Sequence, residues 1–532
     1  MRRFIIAPNW LRFLIVLLLV LGIFFRFYNL EGKVYWHDET YTSLRMSGYT
    51  ASAVKQQIFN SRVLTKEDFA KFQRPNLEND LGDTIKSLAI EDPQHPPLYY
   101  IIARFWVQIF GNSVTAIRSL SALISLLVLF GGYWLCQELF NVPFSLPGIA
   151  IALMAISPIH LIFAQEAREY ILWLLTILLC SASLLRAIRL ETYRLKDSER
   201  IYNWGIYAGT LTLSLYTFLL SGFVALAHVI YVIALTKRRW NKILSAYSLA
   251  TLVGFIAFIP WILVVVSNFL QLQMSLGWTT MKLSFIILIQ SWFLQVIRIF
   301  FDLDVGFENP LSYLITPAFL ILVGYAIYFL YLTTHPKTWL FIITLITIPA
   351  LPLMLPDLIF GGVRSVSGRY LIPSYLGIQL AVAYLLATQL YNGILSRRRI
   401  WQTIMVLVIM AGVVSCAVSS QANTWWSKVI SYGNPQVAKI VNQAARPLVI
   451  SNDTGINYGN IFSLSYLAQP KVRFQLVKGN NVPKISPNYN VFLFNPSKTL
   501  QKAIEKKYKY KAVTVYKDQY YSLLKLTKPK GK

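Results

Sequence analysis

Two adjacent carboxylates, Asp38 and Glu39, lie in an aromatic segment shortly after the first long apolar run of the chain. Neighbouring carboxylates in such a setting can supply a general base, because one pKa is raised while the other group orients it or binds substrate. Asp38 also precedes a helix-compatible stretch, so a helix cap is the alternative interpretation. The pair is therefore a candidate catalytic site.

A histidine, His95, precedes two prolines at the end of the same polar segment. Paired prolines restrict the direction of the chain where it returns to the membrane interface. At the level of the lipid headgroups, His95 could donate a hydrogen bond to a phosphate. A lone histidine with a structural role is the alternative.

Two further segments, 164–170 and 361–370, carry arginines between apolar runs: Arg168 in the first, and Arg364 and Arg369 in the second. Guanidinium groups bind phosphate in a bidentate manner, and the neighbouring glycines let the backbone approach an anion closely. Snorkelling of the arginines to lipid headgroups is the alternative.

Metal and nucleotide sites have weaker signals. None of the five histidines pairs at ligand spacing. Asp302 and Asp304 could bind a divalent cation, although an exposed interfacial turn explains them better, so we expect no certain cofactor. The sequence has no glycine-rich phosphate loop. A nucleotide substrate therefore has no evident binding site.

The composition indicates the class of protein that must position these residues. The chain has 532 residues, 55% of them hydrophobic and 14% charged, with a mean hydropathy of +0.50. Soluble domains carry roughly 25% charged residues, so we predict a multi-pass membrane protein. The net charge of +27 accompanies no nucleic-acid-reading motif. Anionic lipid and the positive-inside bias explain it better.

We predict about eleven membrane spans from apolar runs of sufficient length. The first has no cleavage site after it and is expected to remain uncleaved. The three cysteines lie in apolar segments, which argues against disulfides. The predicted spans are Leu11–Phe27, Ala116–Leu135, Pro147–Phe163, Ile171–Ala187, Ile201–Leu215, Tyr216–Leu235, Ala246–Val266, Leu311–Leu332, Trp339–Leu355, Leu371–Leu390 and Trp401–Val418.

Two more apolar stretches, Leu98–Phe110 and Met281–Phe301, are ambiguous. Basic clusters at 186–200, 237–242 and 397–399 all fall on the cytoplasmic side only if neither stretch crosses. We therefore predict interfacial helices there, a cytoplasmic N-terminus and an external C-terminus, in the plasma (inner) membrane.

The expected domains are a transmembrane domain, residues 1–420, and an extramembrane tail, residues 421–532. The transmembrane domain includes the long external loop 29–97. The tail holds 18 basic and 3 acidic residues, so it could lie on anionic headgroups or an acidic glycan, or serve solubility alone. The predicted strands of this small α/β domain are Pro447–Ser451, Val472–Val477, Tyr489–Phe494, Ala512–Tyr516 and Tyr520–Leu526, and the predicted helices are Gln436–Ala444 and Leu500–Lys507.

Taken together, these segments resemble the membrane glycosyltransferases of the GT-C fold, specifically glycosyltransferase family 39. That family includes protein mannosyltransferases, aminoarabinose transferases and RgtA/B/C/D-like enzymes. The resemblance covers about Trp10 to Leu390. It rests on Asp-Glu after the first span, His-Pro-Pro-Leu-Tyr-Tyr, Ala-Ile-Arg-Ser-Leu-Ser-Ala, Gln-Glu-Ala-Arg-Glu-Tyr and Ser-Gly-Arg-Tyr-Leu-Ile-Pro, in this order.

The resemblance implies an inverting transfer of a sugar from a polyprenyl-phosphate donor to an external acceptor, which is a protein, lipid or polysaccharide. Asp38 would be the general base and Glu39 would orient it or bind the acceptor. The donor phosphate would be held by His95, Arg168, Arg369 and Arg364. The implied supporting residues are Arg118, Glu166, Tyr99 and Tyr370.

Departures from the family pattern leave the sugar and the acceptor class open. The aminoarabinose transferases have lysine where this chain has His95, and the mannosyltransferases have sugar-binding repeat domains that this chain lacks. A transporter or flippase of lipid-linked sugars is the alternative function. It would bury charges at mid-membrane between repeated halves, a pattern that the sequence does not show.

Overall fold

The computed structural model describes residues 8–140, 145–193 and 196–528, and it is mainly helical. Its α-helices, numbered α1 to α22 in chain order, are Asn9–Phe27, His37–Met46, Ala51–Ile58, Lys66–Ala70, Leu81–Glu91, Leu98–Phe110, Val114–Leu139, Ser145–Ala155, Pro158–Ala164, Tyr170–Glu191, Asp197–Thr217, Ser221–Leu235, Lys242–Ser267, Phe269–Ser275, Phe285–Ile297, Pro310–Thr333, Pro336–Phe360, Ile372–Gln389, Leu395–Gln421, Asn434–Gln443, Asn457–Leu467 and Lys498–Tyr508. Short 3₁₀ helices cover Lys71–Gln73, Gly277–Thr280, Gly368–Leu371 and Trp426–Ser431. Strands β1 to β6 are Asn60–Leu64, Pro447–Asn452, Arg473–Val477, Asn490–Phe494, Lys511–Lys517 and Ser522–Thr527.

Eight helices of the described residues are long and apolar enough to cross a membrane: α1, α7, α10, α13, α16, α17, α18 and α19. Helices α8 and α9 form a ninth candidate that is bent by 61°. These nine match predicted spans, so a polytopic helical membrane protein is confirmed. The two remaining predicted spans correspond to α11, which carries acidic residues in its first turn, and to α12, which has 15 residues.

The two stretches predicted not to cross form short helices. Helices α6 and α15 have 13 residues each. A helix of that length rises about 20 Å, less than the roughly 30 Å of a hydrocarbon core. Their lengths agree with the prediction of interfacial helices.

The chain divides into two compact units. The first contains residues 1–28, 92–99 and 118–420, and the second contains residues 29–91, 100–117 and 421–532. This division differs from the domains expected from the sequence, because most of the first polar loop groups with the tail instead of with the transmembrane helices.

Two helices form the enclosed centre of the first unit. The apolar windows of α10 and α18 are 89% and 94% buried, whereas those of α13 and α16 are 22% buried. Helix α10 packs on α11, and α18 packs on α8, α16 and α17. The ends of α10 and α18 are therefore held by protein on most sides.

The second unit is built around a six-stranded mixed sheet with the order β1-β3-β2-β4-β6-β5. Strand β2 is buried along its whole length and pairs in parallel with β3 and β4. Helices α2, α20 and α21 contribute to the core on one face, and α22 contributes on the other. All five predicted strands and both predicted helices of the tail are confirmed within a few residues.

One strand of this sheet comes from the first polar loop. Strand β1 pairs in antiparallel register with β3, with Val63 opposite Gln475 and Leu64 opposite Phe474. Neither β1 nor helix α21 was predicted. The pairing explains why residues 29–91 group with the tail.

A buried ion pair fixes the end of α2 in the second unit. Arg45 Nη2 lies 2.7 Å from Glu91 Oε2. The Glu91 carboxylate also accepts hydrogen bonds from Ala51 N and Ser52 N. Burial alone would raise the pKa of Glu91, but the charge of Arg45 and these hydrogen bonds lower it below its usual value.

Replacing Arg45 by methionine should destabilise the second unit by about 3 kcal/mol, because a buried carboxylate loses its cation. Hydrogen exchange of the α2 amides in the full chain measures the change as a lower free energy of opening. The matched control is Arg62→Met. Arg62 is 55% exposed and pairs with Asp68 at 3.2 Å, and such a surface pair contributes about 1 kcal/mol at most. Equal effects of the two substitutions would contradict this account.

Candidate functional site

The predicted arginines lie directly before the two enclosed helices of the first unit. Arg168 is two residues before α10, and Arg369 lies in the 3₁₀ helix that leads into α18. Both side chains therefore stand at the N-terminal ends of helices, where the helix dipole favours bound anions.

Hydrogen bonds to neighbouring helices anchor the segments that carry these residues. Gln165 Nε2 donates to the carbonyl oxygens of Phe25 at 2.7 Å and Tyr28 at 3.0 Å. Trp261 Nε1 donates to the carbonyl oxygen of Pro93 at 3.1 Å, two residues before His95. The loops on which the site depends are thus tied to the helices.

Glu169 joins two of the predicted phosphate-binding residues. Its Oε1 lies 3.1 Å from Arg168 Nη2 and 2.9 Å from His95 Nδ1. Arg168 Nη2 also lies 3.4 Å from His95 Nε2. Burial alone would raise the pKa of Glu169, but the charges of Arg168 and His95 outweigh it and lower that pKa to about 2. Glu169 is therefore a carboxylate at neutral pH.

Arg168 and Arg369 both contact the ring of Tyr170. The guanidinium carbons of Arg168 and Arg369 lie 5.4 Å and 5.6 Å from the centre of the Tyr170 ring. Arg369 also lies 5.8 Å from the ring of Trp278 and 5.5 Å from that of Tyr370. Cation–π contacts of this kind hold a guanidinium without using up its N–H donors.

Phe218 closes the aromatic side of this cluster. Its ring centre lies 6.4 Å from His95, 6.0 Å from Tyr170 and 6.0 Å from Tyr370. The residue lies between α11 and α12, where the chain is extended. We call His95, Arg168, Glu169, Tyr170, Phe218, Arg369 and Tyr370 the cationic cluster.

Helix α15 supports the loop that carries Arg369. Gln295 Nε2 donates to the carbonyl oxygen of Val366 at 2.9 Å, and Tyr375 Oη donates to Gln295 Oε1 at 3.2 Å. Gly368 leaves no room for a Cβ beside Gln295. A side chain at position 368 would therefore displace the amide of Gln295, which bonds to Val366 and Tyr375.

Arg364, also predicted to bind phosphate, pairs with Asp357 near the end of helix α17. Its Nη1 donates to Asp357 Oδ1 at 2.9 Å, and Ser365 N donates to Asp357 Oδ2 at 2.7 Å. Gly361 and Gly362 have φ values of +79° and +153°. The two glycines thus let the chain turn back after α17, so that residues 364 and 365 reach Asp357 on that helix.

Three of the four predicted supporting residues, Tyr99, Arg118 and Glu166, are buried in the first unit, and Tyr370 is partly buried. Tyr99 is buried and its hydroxyl lies 3.0 Å from Ser121 Oγ. Arg118 is fully buried near the start of α7, and Glu166 is 2% exposed. The carbonyl oxygen of Glu166 accepts a hydrogen bond from Arg168 N at 2.8 Å.

The predicted carboxylate pair belongs to the second unit, at the first turn of α2. Asp38 is partly exposed, whereas Glu39 is fully buried. Glu39 Oε2 lies 3.3 Å from Lys428 Nζ and accepts a hydrogen bond from Trp36 N at 3.3 Å. Glu39 is thus held by both a buried cation and the backbone at the start of α2.

The residues suggested for a cation form a turn. Asp302 is 3% exposed, lies 3.8 Å from Arg298 Nε and accepts a hydrogen bond from Asp304 N. In the part of the chain that the structure describes, no three His, Cys, Asp or Glu side chains form a metal-binding group.

Sequence reasoning assigned no role to several residues of these sites. Glu169 and Tyr170 belong to the motif Gln-Glu-Ala-Arg-Glu-Tyr, so their nearness to Arg168 is evident in the sequence. Phe218 and Trp278 carried no signal, because aromatic residues are frequent along the chain. Lys428 also carried none, since it is one of many lysines of the tail.

The comparisons with known proteins identify the fold. The structure of ArnT from Cupriavidus metallidurans bound to undecaprenyl phosphate matches with a TM-score of 0.53 and 14% identity, covering 98% of this chain and 98% of that chain. The apo oligosaccharyltransferase of Archaeoglobus fulgidus matches with a TM-score of 0.51 and 13% identity, covering 87% of this chain and 65% of that chain. The fold is therefore that of the GT-C membrane glycosyltransferases, which confirms the resemblance at this level.

A match to a family model adds a sequence relationship. Residues 94–264, which include His95 and Arg168, match the model described as Dolichyl-phosphate-mannose-protein mannosyltransferase. Among curated proteins, none matches the sequence significantly.

The low pKa of Glu169 predicts a pH dependence of stability. A carboxylate with a lowered folded-state pKa stabilises the fold above its unfolded pKa of about 4.3, and this contribution is lost as the pH falls towards 2. Glu169→Gln should therefore lower the free energy of unfolding at pH 6 by about 3 kcal/mol, and with it the melting temperature. Between pH 6 and pH 3 the melting temperature of this variant should decline less than that of the wild type. Thermal melting of the purified chain in detergent measures both effects.

The control for this prediction is Glu308→Gln, which changes an exposed carboxylate of the same unit. It should leave the pH dependence of melting unchanged. If the melting temperature of Glu169→Gln depends on pH as steeply as that of the wild type, Glu169 is not a stabilising carboxylate.

Proposed function

We propose that this protein is a membrane glycosyltransferase that transfers a sugar from a polyprenyl-phosphate donor to an acceptor outside the cytoplasm. The observation that carries the proposal is the convergence of Arg168, Arg369 and His95 on Tyr170 and Phe218, at the ends of the two enclosed helices. Cationic donors among aromatic rings suit a phosphate attached to a lipid chain. The family match and the GT-C fold support the same class of enzyme.

In the proposed reaction, Asp38 accepts the proton of an acceptor hydroxyl as its oxygen attacks the anomeric carbon. The bond between that carbon and the phosphate oxygen breaks, and polyprenyl phosphate leaves with an additional negative charge. Arg168 and Arg369 would stabilise this charge, because groups aimed at developing charge lower the barrier. Attack opposite the leaving group inverts the anomeric configuration.

Other residues have supporting roles in this proposal. Glu169 orients His95 and Arg168 through the contacts described above. Arg364 holds the loop before Arg369 through Asp357 and does not bind the donor directly.

We place the protein in the plasma (inner) membrane, with a cytoplasmic N-terminus and the cationic cluster on the external side. The charge distribution of the loops supports this orientation. The partners are then the lipid bilayer, the polyprenyl-phosphate sugar and an external acceptor.

Asp38→Asn should lower transfer at least about 100-fold, because a general base contributes 10² or more to the rate. Donor affinity should stay within about twofold, since the substitution leaves the cationic cluster intact. Purified protein in lipid is given a panel of polyprenyl-phosphate sugars and a membrane-extract acceptor pool, and released polyprenyl phosphate is measured by mass spectrometry.

Asp83→Asn is the matched control, because Asp83 is a carboxylate at the start of another helix of the same unit. It should retain wild-type transfer. Transport of the lipid-linked sugar across the bilayer by Asp38→Asn, without transfer by the wild type, would favour a flippase and contradict the proposal.

The arginines should differ in their effect on donor binding. Arg168→Met and Arg369→Met should each weaken the binding of undecaprenyl phosphate about tenfold or more, since charged hydrogen bonds contribute about 1.5–3 kcal/mol. Arg364→Met should weaken it less than about threefold, because Asp357 engages this guanidinium. Titration of lipid-reconstituted protein, followed by native mass spectrometry, measures the affinities. Equal losses for all three variants would contradict the assigned roles.

A further inference from the structure

Lys428 is a buried cation in the tail portion of the second unit. It belongs to the 3₁₀ helix Trp426–Ser431, and its side chain is 2% exposed. Lysine is rarely buried unless it is paired. Its Nζ lies 3.3 Å from Glu39 Oε2 and 5.6 Å from the centre of the Trp36 ring. The tail thus places a positive charge beside the segment that contains Asp38.

The carboxylate that receives this charge also closes the first turn of α2. Glu39 Oε2 accepts the backbone N–H of Trp36 at 3.3 Å. The same carboxylate oxygen of Glu39 therefore contacts both Trp36 N and Lys428 Nζ. Trp36 and Glu39 flank His37 and Asp38 in the sequence. Movement of Glu39 would change the backbone direction at Asp38, because the two residues are adjacent.

A second contact from the same part of the chain holds the residue before Asp38. His37 N donates to Ser431 Oγ at 3.0 Å, and Ser431 Oγ donates to Asn460 Oδ1 at 2.6 Å. Asn460 Nδ2 in turn donates to the carbonyl oxygen of Ile430 at 2.8 Å. Gly459 has no room for a Cβ beside the His37 ring.

We infer that Lys428 is a positioning residue for Asp38 and acts through Glu39. This inference rests on the proposed role of Asp38 as general base. A general base must lie within hydrogen-bond reach of the proton that it removes, and a displacement of about 1 Å can cost about 100-fold in rate. The buried ion pair with Lys428 fixes Glu39, the residue after Asp38. The hydrogen bond to Ser431 fixes His37, the residue before Asp38. The C-terminal tail is therefore part of the catalytic apparatus and more than a surface module.

The test compares Lys428→Met, Lys428→Arg and the double variant Glu39→Gln with Lys428→Met. The full chain in lipid nanodiscs is assayed for kcat, donor KM, the fraction of molecules that bind donor, and melting temperature. Lys428→Met leaves a buried carboxylate without this cation and is expected to lower the melting temperature. The double variant removes both charges and should recover stability, so it remains interpretable if the single variant folds poorly.

A positioning role predicts that kcat falls at least about tenfold in Lys428→Met and in the double variant, because the base is displaced. Donor KM and the donor-binding fraction should stay within about twofold in the double variant. Lys428→Arg keeps a cation at the site and should recover most of kcat. The control Lys439→Met removes an exposed lysine of the same tail and should change none of these quantities.

Wild-type kcat in the double variant would overturn the inference while leaving the proposed function standing. A fall of kcat only in proportion to the donor-binding fraction would also overturn the inference, because that pattern reports a loss of folded protein. If the wild type transfers no sugar from any donor, the proposed function fails first and the positioning role fails with it. The outcomes therefore separate the two claims.

Discussion

Charged side chains close to the hydrocarbon of a bilayer need partners from the protein, because water is scarce there and an unpaired charge is costly. In the first unit Glu169 provides this neutralisation, since its carboxylate lies against both Arg168 and His95. Tyr170 then links Arg168 to Arg369 through its ring. At the N-terminal ends of α10 and α18, these contacts take the place of solvent around the charged groups of the cationic cluster.

The second unit uses the same physical device around helix α2. Glu39 pairs with Lys428 at one end of the helix, and Arg45 pairs with Glu91 at the other. Breaking a buried pair is far more costly than losing a surface pair, so α2 is held at both ends. The strand β1 adds a third constraint by joining the sheet of the tail. Both groups of predicted site residues are thus carried by short segments that buried ion pairs fix in place.

Much of the fold could be predicted from the sequence, because apolar length and alternation are local signals. The spans and the tail strands followed directly from them. The origin of β1 could not be predicted, since it pairs with a strand more than 400 residues later and its own burial pattern does not alternate. At the site, Arg168 and Arg369 stood out by charge. Lys428 did not, because its pairing with Glu39 connects residues whose closeness only the fold reveals.

The central claim is that the cationic cluster binds the phosphate of a lipid-linked donor. An electron cryomicroscopy structure of the wild-type chain in nanodiscs with undecaprenyl phosphate tests it most directly. The account predicts phosphate density within hydrogen-bond distance of the guanidinium groups of Arg168 and Arg369, with the lipid chain leaving past the neighbouring aromatic rings. Phosphate density at the basic segment between α10 and α11 instead, with none at the cluster, would contradict it.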